Sequence, residues 1–313
     1  MRAVRCCDKH VKLVDIPSPE GSGVRIKVRS AGICSSDLHM LDAGFPIPGT
    51  LGHEVAGITP DGRAVAIEPV APCGHCDMCT CGDYHLCRLG AGSIVLGVGQ
   101  DGGMADEMLV PERSIVPLPA NVRVEDACLV EPLAVAAHGV RMLDVNPGRR
   151  VAVIGAGSVG LAATAVLAGN VGTLHVAARH DVQKAAVERL GGGLDPREEY
   201  DVVIECAGNG KAFSQAAQLC RPGGTILLLA SYFDSLEFPA ALVAMKELKI
   251  YSSFLYNRSN LVRDVDVAAN LLASRPELPG ILITHRLPLD AAPEAFDIAR
   301  DRAAGAIKVV LEP

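Results

Sequence analysis

Four apolar residues, Val151-Ala-Val-Ile154, run directly into Gly155-Ala-Gly157-Ser158-Val159-Gly160, and a small apolar run over residues 161–168 follows. A buried strand, a tight glycine turn and the start of a helix constrain this chain more than any other stretch. Each glycine has its own task. Gly155 permits the turn, Gly157 lets the backbone approach a pyrophosphate, and Gly160 lets helix pack on strand. The helix start at Ser158 and Val159 turns free N–H groups and a positive dipole end toward the phosphates. A glycine turn kept for packing alone is the plainer alternative. The strand before it and the helix after it favour a dinucleotide site.

The rest of the chain is read around this turn. Downstream, strands over residues 171–176, 201–206, 225–230 and 248–254 alternate with helices over 182–190, capped by Asp181, and 211–219. That is the pattern of a doubly wound parallel sheet. Upstream, short β-rich runs at 3–5, 24–28 and 65–67 lie among Gly and Pro turns, as in an all-β domain with irregular loops. The tail reads as helix 261–274, strand 281–285, helix 291–303 and strand 307–311. A chain of 313 residues has room for two domains. The net charge of −7, without a long basic run, argues against nucleic acid and anionic membranes as partners. The start of the chain lacks a signal-peptide core and no apolar run reaches membrane length, so a cytoplasmic location is expected. The eleven cysteines cluster at short spacings, which suits metal in a reducing compartment better than a disulfide framework.

Two constellations carry metal chemistry. The first is Gly32-Ile-Cys34-Ser-Ser36-Asp37-Leu-His39 followed by Gly52-His53-Glu54. A catalytic zinc takes three protein ligands and keeps one position open, and Cys34 and His53 are the first two candidates. The third must be an acid or thiolate from elsewhere. The second constellation places Cys73, Cys76, Cys79 and Cys87 in the spacing C-x2-C-x2-C-x7-C. Four thiolates in one loop suit a closed structural zinc; an iron–sulfur cluster takes the same ligands. Cys81 could stand in for Cys79, and His75 and His85 read as exposed loop residues. In residues 126–138 an apolar helical stretch is interrupted by Glu131-Pro132. A carboxylate among Leu, Val and Ala is costly to bury without a partner, and a metal would be one.

Taken in order, these motifs resemble the zinc-containing medium-chain alcohol dehydrogenase family over nearly the whole chain, ending in Gly305-Ala-Ile-Lys-Val-Val-Leu311. Glu131-Pro-Leu resembles the polyol, sugar and threonine dehydrogenase branches. The resemblance implies a GroES-like β-rich catalytic domain, residues 1–129 and 262–313, and a Rossmann domain, 130–261. It implies zinc-assisted hydride transfer between a secondary alcohol, polyol or sugar and a nicotinamide cofactor, with two zincs per chain. Catalytic zinc would sit on Cys34 and His53, with Glu54 or Glu131 as third ligand. Ser36 would relay the alcohol proton, His39 would pass it to solvent, and Asp37 would orient the zinc-binding histidine. Ala207, Ala230 and Phe254 would neighbour the nicotinamide. A homodimer or homotetramer is expected.

Two further readings concern the cofactor and the rivals. An NAD enzyme places an acid at the end of the second strand for the ribose 2′-hydroxyl. Here Ala178 stands at that position and Arg179 follows, so NADP is favoured, with His180 and Lys184 assisting. In the alternative, Asp181 moves in to serve NAD. Only ten residues separate Leu190 from Asp201, where relatives carry a further strand and helix. The rivals are an NADPH-dependent reductase with only structural zinc, and a non-catalytic nucleotide or redox sensor. The sensor would use Cys6, Cys7, Cys81, Cys128, Cys206 and Cys220.

Overall fold

The computed structural model describes residues 1–7, 10–233 and 235–313. Its strands, in chain order, are β1 (Arg2–Cys7), β2 (His10–Asp15), β3 (Val24–Gly32), β4 (Glu54–Ile58), β5 (Ala64–Ile67), β6 (Glu107–Val110), β7 (Ile115–Pro117), β8 (Arg150–Ile154), β9 (Thr173–Ala177), β10 (Gly193–Leu194), β11 (Tyr200–Glu205), β12 (Cys220–Leu228), β13 (Lys249–Ser252), β14 (Arg258–Ser259), β15 (Val262–Arg263), β16 (Ile283–Pro288) and β17 (Lys308–Glu312). The chain divides into two compact units, Met1–Ala134 with Asn257–Pro313, and Val135–Tyr256. No helix among the described residues is long and apolar enough to cross a membrane.

The first unit is a β-rich body around a sheet of order β16-β17-β3-β4-β5-β7, with β6 also on β3. β3 explains its shape. Ile26 and Val28 are buried while Lys27 between them is exposed, as a half-buried strand requires. From Ser30 onward every residue is buried, because this end lies between β4 and β17. The core joins residues far apart in sequence: Ile26, Val28 and Val55 cluster with Phe296, Val309 and Leu311. The tail therefore completes the core of the N-terminal half.

A polar clamp fastens the same unit. Glu68 is buried, and its carboxylate accepts from the Tyr84 hydroxyl (2.5 Å) and Arg263 Nη1 (3.1 Å). Burial pushes the Glu68 carboxyl up, and Tyr84 and Arg263 oppose that shift. Arg263 also donates to the carbonyls of Arg113 (2.8 Å) and Ile115 (3.1 Å). Asn257 Nδ2 donates to Asp83 Oδ1 (2.9 Å). The four-cysteine segment is thus tied to the point where the chain returns to this unit.

The second unit is a wholly parallel sheet of order β10-β9-β8-β11-β12-β13. In order along the chain that is 3-2-1-4-5-6, the dinucleotide-binding arrangement. Its central strands carry the buried apolar runs Val151–Ile154 and Val202–Ile204, as strands covered on both faces do. Three expectations need correction. The short stretch after Leu190 still supplies the third strand, reduced to two residues, although no helix follows it. Asp181 is not the cap of its helix; it lies in the first turn, and His180 occupies the cap position. Glu131-Pro132 does not interrupt a helix but opens one, Val130–Arg141, since proline in the first turn forfeits no intrahelical bond.

Replacing Arg263 by Met should leave Glu68 buried beside Tyr84 without its cation. The expected loss is about 3 kcal/mol of stability, read by denaturant unfolding, and a loss under about 0.5 kcal/mol would mean the clamp is slack.

Candidate active site and metal centres

The four-cysteine segment folds so that local geometry makes a metal cage. Cys76 precedes the helix Asp77–Cys81, and Gly82 ends it in the left-handed region (φ 105°). The sulfurs converge: Cys76 Sγ lies 3.5 Å from Cys79 Sγ and 3.9 Å from Cys87 Sγ, and Cys73 Sγ is 3.8 Å from Cys79 Sγ. A tetrahedron with zinc–sulfur bonds of about 2.3 Å has edges of about 3.8 Å, so the donor set fits zinc. The N–H groups of Cys76 and Cys73 point at Cys73 Sγ and Cys87 Sγ (3.4 Å each) and favour thiolates. Cys81 stands apart, exposed, with its thiol directed to the Met78 carbonyl (3.3 Å). It does not replace Cys79. His75 is exposed as expected, but His85 is buried, which corrects its reading as an exposed loop residue.

The second donor group is assembled from two chain segments. Cys34 caps the helix Ser35–Asp42, His53 precedes β4, and Glu54 begins it. Donor atoms of Cys34, His53 and Glu54 all lie within 4.8 Å of one another. Asp37, wholly buried in the first helical turn, accepts from the Cys34 N–H (3.0 Å). Its other oxygen lies 3.4 Å from His53 Nδ1. Both that oxygen and Nδ1 lack a well-formed hydrogen bond. A proton on Nδ1 facing Asp37 leaves the Nε2 lone pair for a metal, which is how a carboxylate orients a metal-binding histidine. Burial disfavours a charged His53, yet Asp37 and Cys34 hold its pKa well above the usual value. A cation among these donors resolves both tensions, so the set fits zinc. Ser36 Oγ lies 3.4 Å from His53 Nε2, inside the site, whereas His39 is exposed on the same helix.

Glu54 has a partner that sequence reading missed. Lys308, on β17, is buried, and its ammonium lies 2.6 and 2.5 Å from the two Glu54 oxygens and 3.0 Å from the Ile33 carbonyl. Burial drives the lysine pKa down; Glu54 and then Cys34 more than restore it. The signal was present in principle, as a single charge inside the apolar run Ile-Lys-Val-Val-Leu. Gly32, opposite Glu54 on β3, makes room, since a Cβ there would collide with the Glu54 carboxylate. Glu131 is also buried, in the first turn of its helix, but lies outside the Cys34–His53–Glu54 group. The structure therefore separates two carboxylates that sequence left equivalent.

The cofactor candidates sit at the C-terminal ends of the parallel strands. Gly155 turns the chain after β8 with φ 100°. Gly157 caps the helix Ser158–Leu167, and a Cβ on it would meet nothing within 4 Å, leaving open space where a pyrophosphate would lie. Ser158 and Val159 form the first turn, and Gly160 is packed against the Gly155 carbonyl. Arg179 is exposed beyond β9, and the Arg179 and His180 N–H groups both reach Gln183 Oε1 (3.3 Å). Lys184 is paired with Asp181 (2.9 Å). Ala207, Ala230 and Phe254 follow β11, β12 and β13, and Phe254 is exposed.

Residues 20–120 match the alcohol dehydrogenase GroES-like domain, and residues 152–271 match the zinc-binding dehydrogenase domain. The chain is 32% identical to D-xylulose reductase A of Aspergillus oryzae, over 91% of this chain and 89% of that protein. Among solved structures it resembles a zinc-binding dehydrogenase of Sinorhizobium meliloti 1021 bound to NADP (29% identity, TM-score 0.85, covering 100% and 99% of the two chains). It also resembles an alcohol dehydrogenase of Escherichia coli CFT073 in complex with NADH (27% identity, TM-score 0.88, covering 100% and 99%).

The pair Lys308–Glu54 gives an asymmetric expectation. Lys308→Met leaves a buried carboxylate and should cost about 3–5 kcal/mol in zinc-stripped protein, with most of that recovered on adding zinc. Glu54→Gln leaves a buried ammonium, and zinc should recover none of it. Thermal unfolding with and without zinc reads both; equal responses to zinc would contradict the placement.

Proposed function

We propose, for a chain that belongs to the zinc-containing medium-chain alcohol dehydrogenase family and is a zinc-dependent polyol dehydrogenase of that family, that oxidation occurs at Cys34, His53 and Glu54. The substrate is a secondary alcohol, polyol or sugar, or the matching carbonyl. The observation that carries this reading is the convergence of those three donors with Asp37 behind the histidine. When bound, zinc supplies Lewis acidity that lowers the pKa of a substrate hydroxyl, and the nicotinamide supplies the hydride acceptor. The chain's own residues do the rest. Cys34 and His53 hold the metal, and Asp37 fixes the imidazole. Ser36 takes the hydroxyl proton at Oγ, next to His53 Nε2, and exposed His39 passes it to solvent. Glu54, which lies against Lys308, would complete the set as third ligand, with Glu131 as the alternative. A second zinc at Cys73, Cys76, Cys79 and Cys87 is structural.

The cofactor is NADP. This rests on Ala178 standing where an acid would bind the ribose, on exposed Arg179 beside it, and on the NADP-bound relative; the NADH-bound relative keeps NAD as the competing reading. The sensor reading is opposed by three of its six thiols. Burial pushes Cys128 up to about 12 and Cys220 up to about 11, and holds Cys206 well above its usual value. Thiols so protonated react slowly with oxidants. Self-association into a dimer or tetramer has one candidate surface at β13, an edge strand carrying exposed Tyr251.

Two variants test the reading. Cys34→Ser should abolish polyol turnover while cofactor binding survives; retained turnover would favour a reductase with structural zinc only. Arg179→Ala should raise KM for NADP by about tenfold or more and leave KM for NAD within about twofold. A wild-type preference for NAD would overturn the cofactor assignment.

A further inference from the structure

Glu205 closes β11 directly after three buried apolar residues, Val202, Val203 and Ile204. Its side chain is wholly buried. Burying a carboxylate costs stability unless donors surround it. Here Oε1 accepts from the N–H groups of Ala207 (2.7 Å) and Gly208 (2.9 Å), and Oε2 accepts from the Tyr232 hydroxyl. The Glu205 carbonyl accepts from Leu229 (2.9 Å) and Ala230 (3.2 Å). One residue therefore holds two loops, the one after β11 and the one after β12. An apolar side chain would pack this strand end more cheaply, so the carboxylate points to a demand on the loops.

The same residue reaches a third loop through close packing. A Cβ on Gly155 would lie 3.0 Å from Ala207, and a Cβ on Gly160 would lie 3.3 Å from Cys206 Cβ. A Cβ on Gly208 would lie 3.0 Å from the Ser231 carbonyl. The glycine turn thus packs closely on residues 206–207, and Gly208 packs closely on residues 230–231. β8 and β11 are neighbours, and strand order reverses between them, which is where open parallel sheets bind their ligands.

We propose that Glu205 is a positioning residue that sets the spacing of these three loops around the nicotinamide and pyrophosphate half of the cofactor, with Tyr232 as its latch. This rests on the dinucleotide reading above. The adenosine half lies at the end of β9, beyond the reach of the Glu205 hydrogen bonds. Loss of the clamp should therefore weaken the whole dinucleotide and spare the adenosine half. A residue that merely stabilised the domain would show no such division.

The test is calorimetric titration of the zinc-loaded protein with NADP, NAD and 5′-AMP, alongside kcat and KM. In Glu205→Ala the Kd of the preferred dinucleotide should rise by about tenfold or more, while that of 5′-AMP stays within about twofold. Glu205→Gln keeps an acceptor for both N–H groups and should recover most of the affinity. Tyr232→Phe should weaken the dinucleotide by about threefold. Equal weakening of both ligands, or none, in Glu205→Ala would overturn the proposal. If that variant does not fold, unchanged dinucleotide affinity in Tyr232→Phe overturns it. A wild-type protein that binds 5′-AMP but neither dinucleotide would instead remove the dinucleotide reading.

Discussion

A carboxylate and an ammonium, Glu54 and Lys308, each about 1% exposed, lie 2.5 Å apart directly behind Cys34 and His53. Neither could be buried alone. Removing two charges from water costs several kcal/mol each, and only close mutual contact and further hydrogen bonds offset it. The first unit is arranged to keep that contact. β4 supplies the acid, β17 supplies the base, and β3 between them carries Gly32, whose missing Cβ gives the acid its space. The tail is needed for this reason as well as for its apolar packing. A zinc ion beside the pair would add a second cation to the same carboxylate, so metal affinity and stability of the sheet are linked through Glu54.

Both units use the same device. A buried charge stands at one end of an apolar run and fixes elements that lie apart in sequence. Lys308 does so for the metal site, Glu205 for the loops at the ends of the parallel strands, and Glu68 for the four-cysteine segment. In each case the buried charge costs stability that apolar packing would not. What it adds is register: only one arrangement of donors satisfies it.

Legibility in the sequence followed locality. The glycine turn, the four cysteines and the Cys34–Asp37 segment each act within a few residues, and the short-range rules of spacing, capping and turn geometry describe them. The parallel sheet was legible from its apolar runs, though not the reduction of the third strand to Gly193–Leu194, because two residues carry no periodic signal. The start of the helix at Val130 was obscured by Pro132, read as a break when it stands in the one turn that tolerates it. The partner of Glu54 lies 254 residues away, and no local rule could connect them. The burial of His85 was hidden for a related reason, since the short segment around it has no periodic apolar pattern.

The central claim is that Cys34 and His53, backed by Asp37 and the Glu54–Lys308 pair, hold a zinc distinct from the one among the four cysteines. Anomalous diffraction at the zinc edge from crystals of the zinc-loaded protein tests it most directly. Two peaks per chain are expected, one about 2.3 Å from Cys34 Sγ and one at the centre of Cys73, Cys76, Cys79 and Cys87. A single peak among the four cysteines, with none at Cys34, would contradict the account.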